Sequence, residues 1–257
     1  MTHPLDADTA LEPLTPTRWR GTVSDRWWVV RGPFGGYVAA FLTRAMMAAV
    51  DDPARRPRSL TVHFVEPPQA GPVELCATVE RSGRSVTSLN LRLEQDGRPV
   101  ALALGSCAVW RDGELEWAER PPDARNPDAF GRLEREDPRP GFVDRLEVRP
   151  VLPVFGGTPR NLAWLRFDPP RPLDHLALTA LSDGWMPAAL SKLGRFAGAP
   201  TLDLTIHFRA PVASGEWVLA DYRSRFSAGG VWEEDGELWA ADGTLLTQSR
   251  QLALIRA

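Results

Sequence analysis

One strand motif occurs twice, and that repetition constrains the fold more than any other feature of the chain. Leu60-Thr61-Val62-His63-Phe64, followed by Pro67 and Gly71, returns at one constant offset as Leu204-Thr205-Ile206-His207-Phe208, followed by Pro211 and Gly215. An Asp-Gly pair precedes the closing strand of each copy, Asp96-Gly97 in the first and Asp242-Gly243 in the second. The distance from motif to Asp-Gly pair differs by two residues between the copies, so each half reads as one supersecondary unit. Where equivalent positions differ in chemistry, one half is expected to hold a site that the other lacks.

The pattern along each half is strand, helix, antiparallel strands. In the first, an aromatic-rich strand over residues 19–30 breaks at Gly32-Pro33-Phe34-Gly35-Gly36 before a helix over 37–50. That helix carries Val38, Phe41, Leu42, Ala45 and Met46 at three- and four-residue spacing, which makes one apolar stripe. Strands are predicted over 60–65, 73–81, 86–94 and 99–110, with Asp96-Gly97 as a hairpin turn. In the second half, strands over 143–151 and 161–167 lead into one long apolar helix over 173–193. Four more strands follow, over 202–209, 216–226, 231–239 and 244–255. Residues 112–141 are charged and punctuated by Pro121, Pro122, Pro127, Pro138 and Pro140, and read as an exposed connector. The expected division is therefore 1–111, 112–141 and 142–257, in an α+β fold of helix on antiparallel sheet, twice.

Composition narrows the function. The 257 residues are 43% hydrophobic, enough for a sizeable core, and the formal net charge of −3 gives no basic stripe for nucleic acid. Lys192 is the only lysine, so any lysine chemistry would fall to it. Cys76 and Cys107 lie in apolar strands without CxxC spacing and read as reduced thiols. His3, His63, His175 and His207 show no metal-ligand spacing, and no cofactor is expected. No run of 18 apolar residues and no charged leader before an apolar run is present, which predicts a cytoplasmic protein without a membrane span. A G-x-S-x-G elbow and a phosphate-binding loop with lysine are both absent.

Aligning the halves exposes two differences. On the Asp-Gly turns, Gly105 falls opposite Gln251. On the helices, Gly35 falls opposite Asp183. A carboxylate among apolar residues is costly unless it has partners or meets water. Pro187, four residues on, leaves the Asp183 carbonyl without its helical partner and predicts a kink. Read from spacing alone, Asp183 facing solvent, Gln251 satisfying a strand edge and Thr201 opening a strand remain open.

Phe34-Gly35-Gly36 at the first helix, residues 59–67, Gly83-Arg84-Ser85, Ser182-Asp183, residues 200–211 with Thr201-Leu202-Asp203, and Ser249-Arg250-Gln251 together resemble the double-hotdog acyl-CoA thioesterases, the family that includes bacterial thioesterase II. The resemblance covers nearly all of the chain outside the connector. It implies a double hotdog, an acyl-CoA substrate, and water activation by Asp183, Thr201 and Gln251. Tyr37 departs from the polar residue that often follows the Gly-Gly pair, and Gly184-Trp185 places a bulky neighbour after Asp183. In such a mechanism Asp183 is the general base and Thr201 and Gln251 orient the water. Backbone N–H groups of Gly36 and Tyr37 are the oxyanion candidates, since helix N-termini present unpaired donors. Phe34, Tyr37, Trp185 and Met186 are candidates for an acyl channel, and Arg31, Arg84 and Arg209 for coenzyme contacts. A homo-oligomer through the hotdog sheets is a further expectation. Two other readings stand beside this one: a hydratase pairing Asp183 with His175, and a hotdog that binds acyl-CoA without hydrolysing it. The symmetric His63 and His207 are read as structural.

Overall fold

The computed structural model describes residues 2–29, 32–111, 113–114, 116–134, 142–212 and 214–255. Arg31 and parts of the connector, with Pro138 and Pro140, lie outside the described residues.

The repeated motifs meet. Strands β3 (Arg55–Phe64) and β9 (Thr201–Phe208) pair antiparallel at the centre of one continuous sheet, with Leu60 opposite Ile206, Thr61 opposite Thr205 and Val62 opposite Leu204. The register is symmetric about the two threonines, whose hydroxyls lie 3.0 Å apart. Around this seam the first half contributes β1 (Glu12–Thr15), β2 (Arg18–Val23), β4 (Gly71–Ser82), β5 (Val86–Gln95) and β6 (Arg98–Val109). The second contributes β7 (Leu146–Pro150), β8 (Arg160–Phe167), β10 (Val218–Arg223), β12 (Val231–Ala240) and β13 (Leu245–Leu254), and a short β11 (Ser227–Ala228) that pairs with β12. The strand order β1-β2-β4-β5-β6-β3-β9-β13-β12-β10-β8-β7 places each copy of the motif beside the closing strand of its own half.

The sheet wraps two central helical segments. Helix α2 (Gly35–Val50) is buried around most of its first three turns, with Tyr37, Phe41, Leu42 and Met46 fully enclosed. Each such side chain contributes roughly 1.5–3 kcal/mol by leaving water. It lies against α3 (His175–Leu181), and Thr43 and Thr179 share a hydrogen bond of 3.0 Å where the two helices meet. Gly105 makes room for this packing, because a Cβ there would run into the Met46 sulfur.

Two sequence expectations are revised, and the structure adds one element. The long helix over 173–193 is two pieces, α3 and α4 (Ala188–Leu193), separated by residues 182–187. Pro187 therefore does more than kink the helix, since it stands at the N-cap of α4 with non-helical geometry. The lead before residue 18 contains a short helix, α1 (Pro4–Asp8), whose Asp6 pairs with buried Arg171 and so ties the N-terminus to the second half. The connector is not exposed throughout. Ala124 and Phe130 pack on Leu162, Trp164, Leu219 and Trp239, and Trp164 donates to the Arg125 carbonyl. The outer face of β8, β10 and the adjoining end of β12 is thereby covered, which accounts for the buried runs in β8 and β10.

Candidate active site

The break between α3 and α4 carries Asp183, and polar side chains from the sheet satisfy its loose backbone ends. Tyr222 on β10 donates to the Leu181 carbonyl that ends α3. Asn161 on β8 donates to the Met186 carbonyl at 2.5 Å. Glu234 on β12 accepts from the Ala188 N–H that opens α4, also at 2.5 Å. Helix ends leave unpaired groups that must find partners when buried, so this interruption is supported on every side rather than frayed.

Asp183 itself is held by the other half of the chain. Its Oδ2 accepts the Gly36 N–H at 2.9 Å, and the Gly35 N–H bears on the same carboxylate. Phe34, the N-cap residue of α2, supplies no side-chain cap. Asp183 takes that role, at the second N–H of the helix where a capping oxygen ordinarily binds. The glycines permit the approach, since a Cβ on Gly35 would lie 2.9 Å from Asp183 Oδ2 and one on Gly36 would strike the Ala180 carbonyl. Burial pushes the carboxyl group up from 3.8 to about 6, against the two N–H groups that pull it down. Part of the residue's surface remains accessible.

Thr201 and Gln251 are brought together. Thr201, at the start of β9, donates from Oγ1 to Gln251 Oε1 at 2.9 Å. Gln251, on β13, is buried and donates from Nε2 to Glu234 Oε1 at 2.8 Å. Asp183 is joined to this chain of bonds electrostatically, its charge raising the proton affinity of Glu234. Burial and that charge together push Glu234 from 4.5 up to about 8, while the Ala188 N–H and Gln251 pull it down.

Glu234 escaped the sequence reading. The signal was there in the repeat. Gln251 pairs with Leu204 and Glu234, while its counterpart Gly105 pairs with Leu60 and Leu89. The first half thus carries Gly and Leu at the two positions where the second carries Gln and Glu.

The other candidates fall differently. The Gly36 N–H is committed to Asp183, and the Tyr37 N–H donates to the Phe34 carbonyl at 3.1 Å, so neither is an idle oxyanion donor. The Tyr37 side chain is core rather than channel. Its ring stacks on Trp27, and its hydroxyl accepts from Ser24 N–H and donates to the Asp8 carbonyl. Phe34 stacks on Phe142 and is nearly closed off, as is Met186. Trp185, half-buried against the core, keeps open surface beside Asp183. His175 packs edge-on against Phe208, and burial lowers it to about 4. His63 and His207 are exposed at symmetric positions beside the seam. A shallow depression lined by Thr61, His63, Asn90, Leu102 and Leu104 lies on that outer face and includes none of the site residues.

Two helix-and-sheet units joined through one symmetric seam in a continuous antiparallel sheet make a double hotdog. The chain belongs to the acyl-CoA thioesterase family: residues 24–108 match its N-terminal domain and residues 118–255 its C-terminal domain. A solved hotdog-fold protein of unknown function from Alicyclobacillus acidocaldarius is 31% identical, with a TM-score of 0.92 covering 100% of this chain and 99% of that one. A protein assigned as thioesterase II from Thermobifida fusca is 25% identical at a TM-score of 0.87, covering 97% and 98%. An uncharacterized protein of Mycobacterium tuberculosis is 27% identical over 294 aligned positions, 99% of this chain and 96% of the relative. Among the described residues, no helix is long and apolar enough to cross a membrane.

Proposed function

We propose that this chain hydrolyses acyl-CoA thioesters to a free acid and coenzyme A, with Asp183 as general base toward a water held by Thr201 and Gln251. The observation that carries the reading is the setting of Asp183: a carboxylate with proton affinity raised toward neutrality by burial and fixed by two backbone N–H groups at the start of α2, on a residue that keeps some accessible surface. A general base works best when its pKa lies near the working pH.

The polarity of the Thr201–Gln251 pair supports the same reading. The Thr201 hydroxyl spends its hydrogen on Gln251 Oε1, so toward a water it acts as an acceptor. Gln251 Nε2 spends one hydrogen on Glu234 and keeps the other. A water between these groups and Asp183 donates one hydrogen to Asp183 and one to Thr201, and accepts from Gln251. One lone pair is left for the thioester carbon. As it attacks, the proton passes to Asp183, the C–S bond breaks, and the thiolate of coenzyme A leaves. The acyl group enters past Trp185.

The test is release of free coenzyme A from acyl-CoAs of graded length. Hydrolysis at some length above background supports the reading. Binding without release at every length replaces it with a non-catalytic acyl-CoA binder.

A further inference from the structure

The second half buries a carboxylate for which the water-activating step above has no direct use. Glu234 is 3% exposed, and the titratable groups that bear on it are all acids: Asp183 in the helix break, Glu233 on its own strand and Tyr222 on β10. The sheet itself does not call for a carboxylate here, since the equivalent position in the first half is Leu89; in the second half one oxygen caps α4 through the Ala188 N–H and the other accepts from Gln251 Nε2.

A glutamine amide has two ends of similar shape and opposite hydrogen-bonding sense. Between the Thr201 hydroxyl and a carboxyl group, Gln251 has two settings, and the charge on its neighbour chooses between them. We propose that Glu234 is a positioning residue: its carboxylate holds the Gln251 amide with Nε2 toward β12 and Oε1 toward Thr201, and so fixes the hydrogen bonds that the attacking water meets. The geometry stands by itself, while its catalytic consequence rests on the thioesterase reading. A protonated Glu234 offers a hydrogen instead of a lone pair. The amide then turns over, Thr201 receives an N–H, and its own hydrogen faces the water that should have donated to it. Burial brings this change within the range of a rate measurement, with Glu234 up at about 8. Turnover therefore rises with pH in two steps, the lower from Asp183 and the upper from Glu234.

Glu234→Gln tests this in the full chain. Its one oxygen cannot serve both Ala188 and Gln251, so the native setting of Gln251 is lost or a donor is left unmet. The expected result is a fall in kcat of roughly 10- to 100-fold, as for other residues that orient a reacting group, with KM little changed and the upper pH step gone. A second readout needs no activity: the side-chain amide signal of Gln251 in a nitrogen-15 spectrum, identified by its loss in Gln251→Ala, shifts in Glu234→Gln. If wild type releases no coenzyme A but the amide signal shifts, the thioesterase reading falls and the positioning stands. An amide signal unmoved by Glu234→Gln overturns the proposal whatever the activity. A shifted signal with wild-type kcat and pH profile overturns its catalytic part.

Discussion

Gly36 donates its backbone N–H to the carboxylate of Asp183 at 2.9 Å, across 147 residues of chain. The first half therefore does not simply lack the site that the second half keeps. It supplies the helix end on which the base rests, and Gly35, the counterpart of Asp183 in the repeat, is bare because the carboxylate occupies the adjoining space.

The two glycines should fail differently when replaced. A Cβ on Gly35 meets side chains rather than backbone, the Asp183 carboxylate at 2.9 Å and the Phe64 ring at 3.0 Å, so Gly35→Ala should displace Asp183 and lower kcat by roughly tenfold or more with a smaller loss of stability than a backbone clash brings. A Cβ on Gly36 meets the Ala180 carbonyl, which cannot yield without moving α3. Gly36→Ala should therefore cost about 1–3 kcal/mol of stability. Denaturation midpoints and initial rates on both variants check this, and equal effects on both quantities would contradict it.

Stability should depend on pH with a definite sign. Asp183 and Glu234 are raised in the fold from 3.8 and 4.5 to about 6 and about 8. Between ordinary and folded values the folded chain holds protons that the unfolded chain has released. Their contribution is fully present below the ordinary values and is lost as pH rises through about 6 and then about 8. Urea midpoints of wild type minus those of Glu234→Gln should fall from pH 5 to pH 9. A difference that stays flat or rises would contradict the burial of an acid among other acids at this position.

Thr201→Val keeps the shape and removes the hydroxyl. Gln251 Oε1 then loses its donor and the water loses an acceptor, so kcat should drop by roughly 10- to 100-fold, with a stability loss of about 1 kcal/mol. Steady-state rates over a range of acyl-CoA concentrations separate kcat from KM. A variant with unchanged kcat would remove Thr201 from the mechanism.

Much of the fold was legible because the repeat is literal. Leu60-Thr61-Val62-His63-Phe64 and its copy are strand patterns in sequence, and they become partners across the central seam. The break at residues 182–187 was only half legible. Pro187 announced a disturbance, but the side chains that stabilise a full interruption, Tyr222, Asn161 and Glu234, come from distant strands. The capping of α2 by Asp183 was hidden for the same reason: a helix N-terminus looks free until the residue that caps it is located in space. The packed part of the connector rests on Phe130, one of two aromatics in a charged stretch, whose partners Leu162 and Trp239 are far away in sequence.

The role of Asp183 is tested most directly by single-turnover release of coenzyme A by wild type and Asp183→Asn, with acyl-CoA binding measured on both. The amide keeps the shape and cannot take the proton. Wild type should release coenzyme A, and the variant should bind acyl-CoA comparably yet turn it over roughly 100-fold more slowly or worse. An Asp183→Asn variant that releases coenzyme A at the wild-type rate would contradict the account.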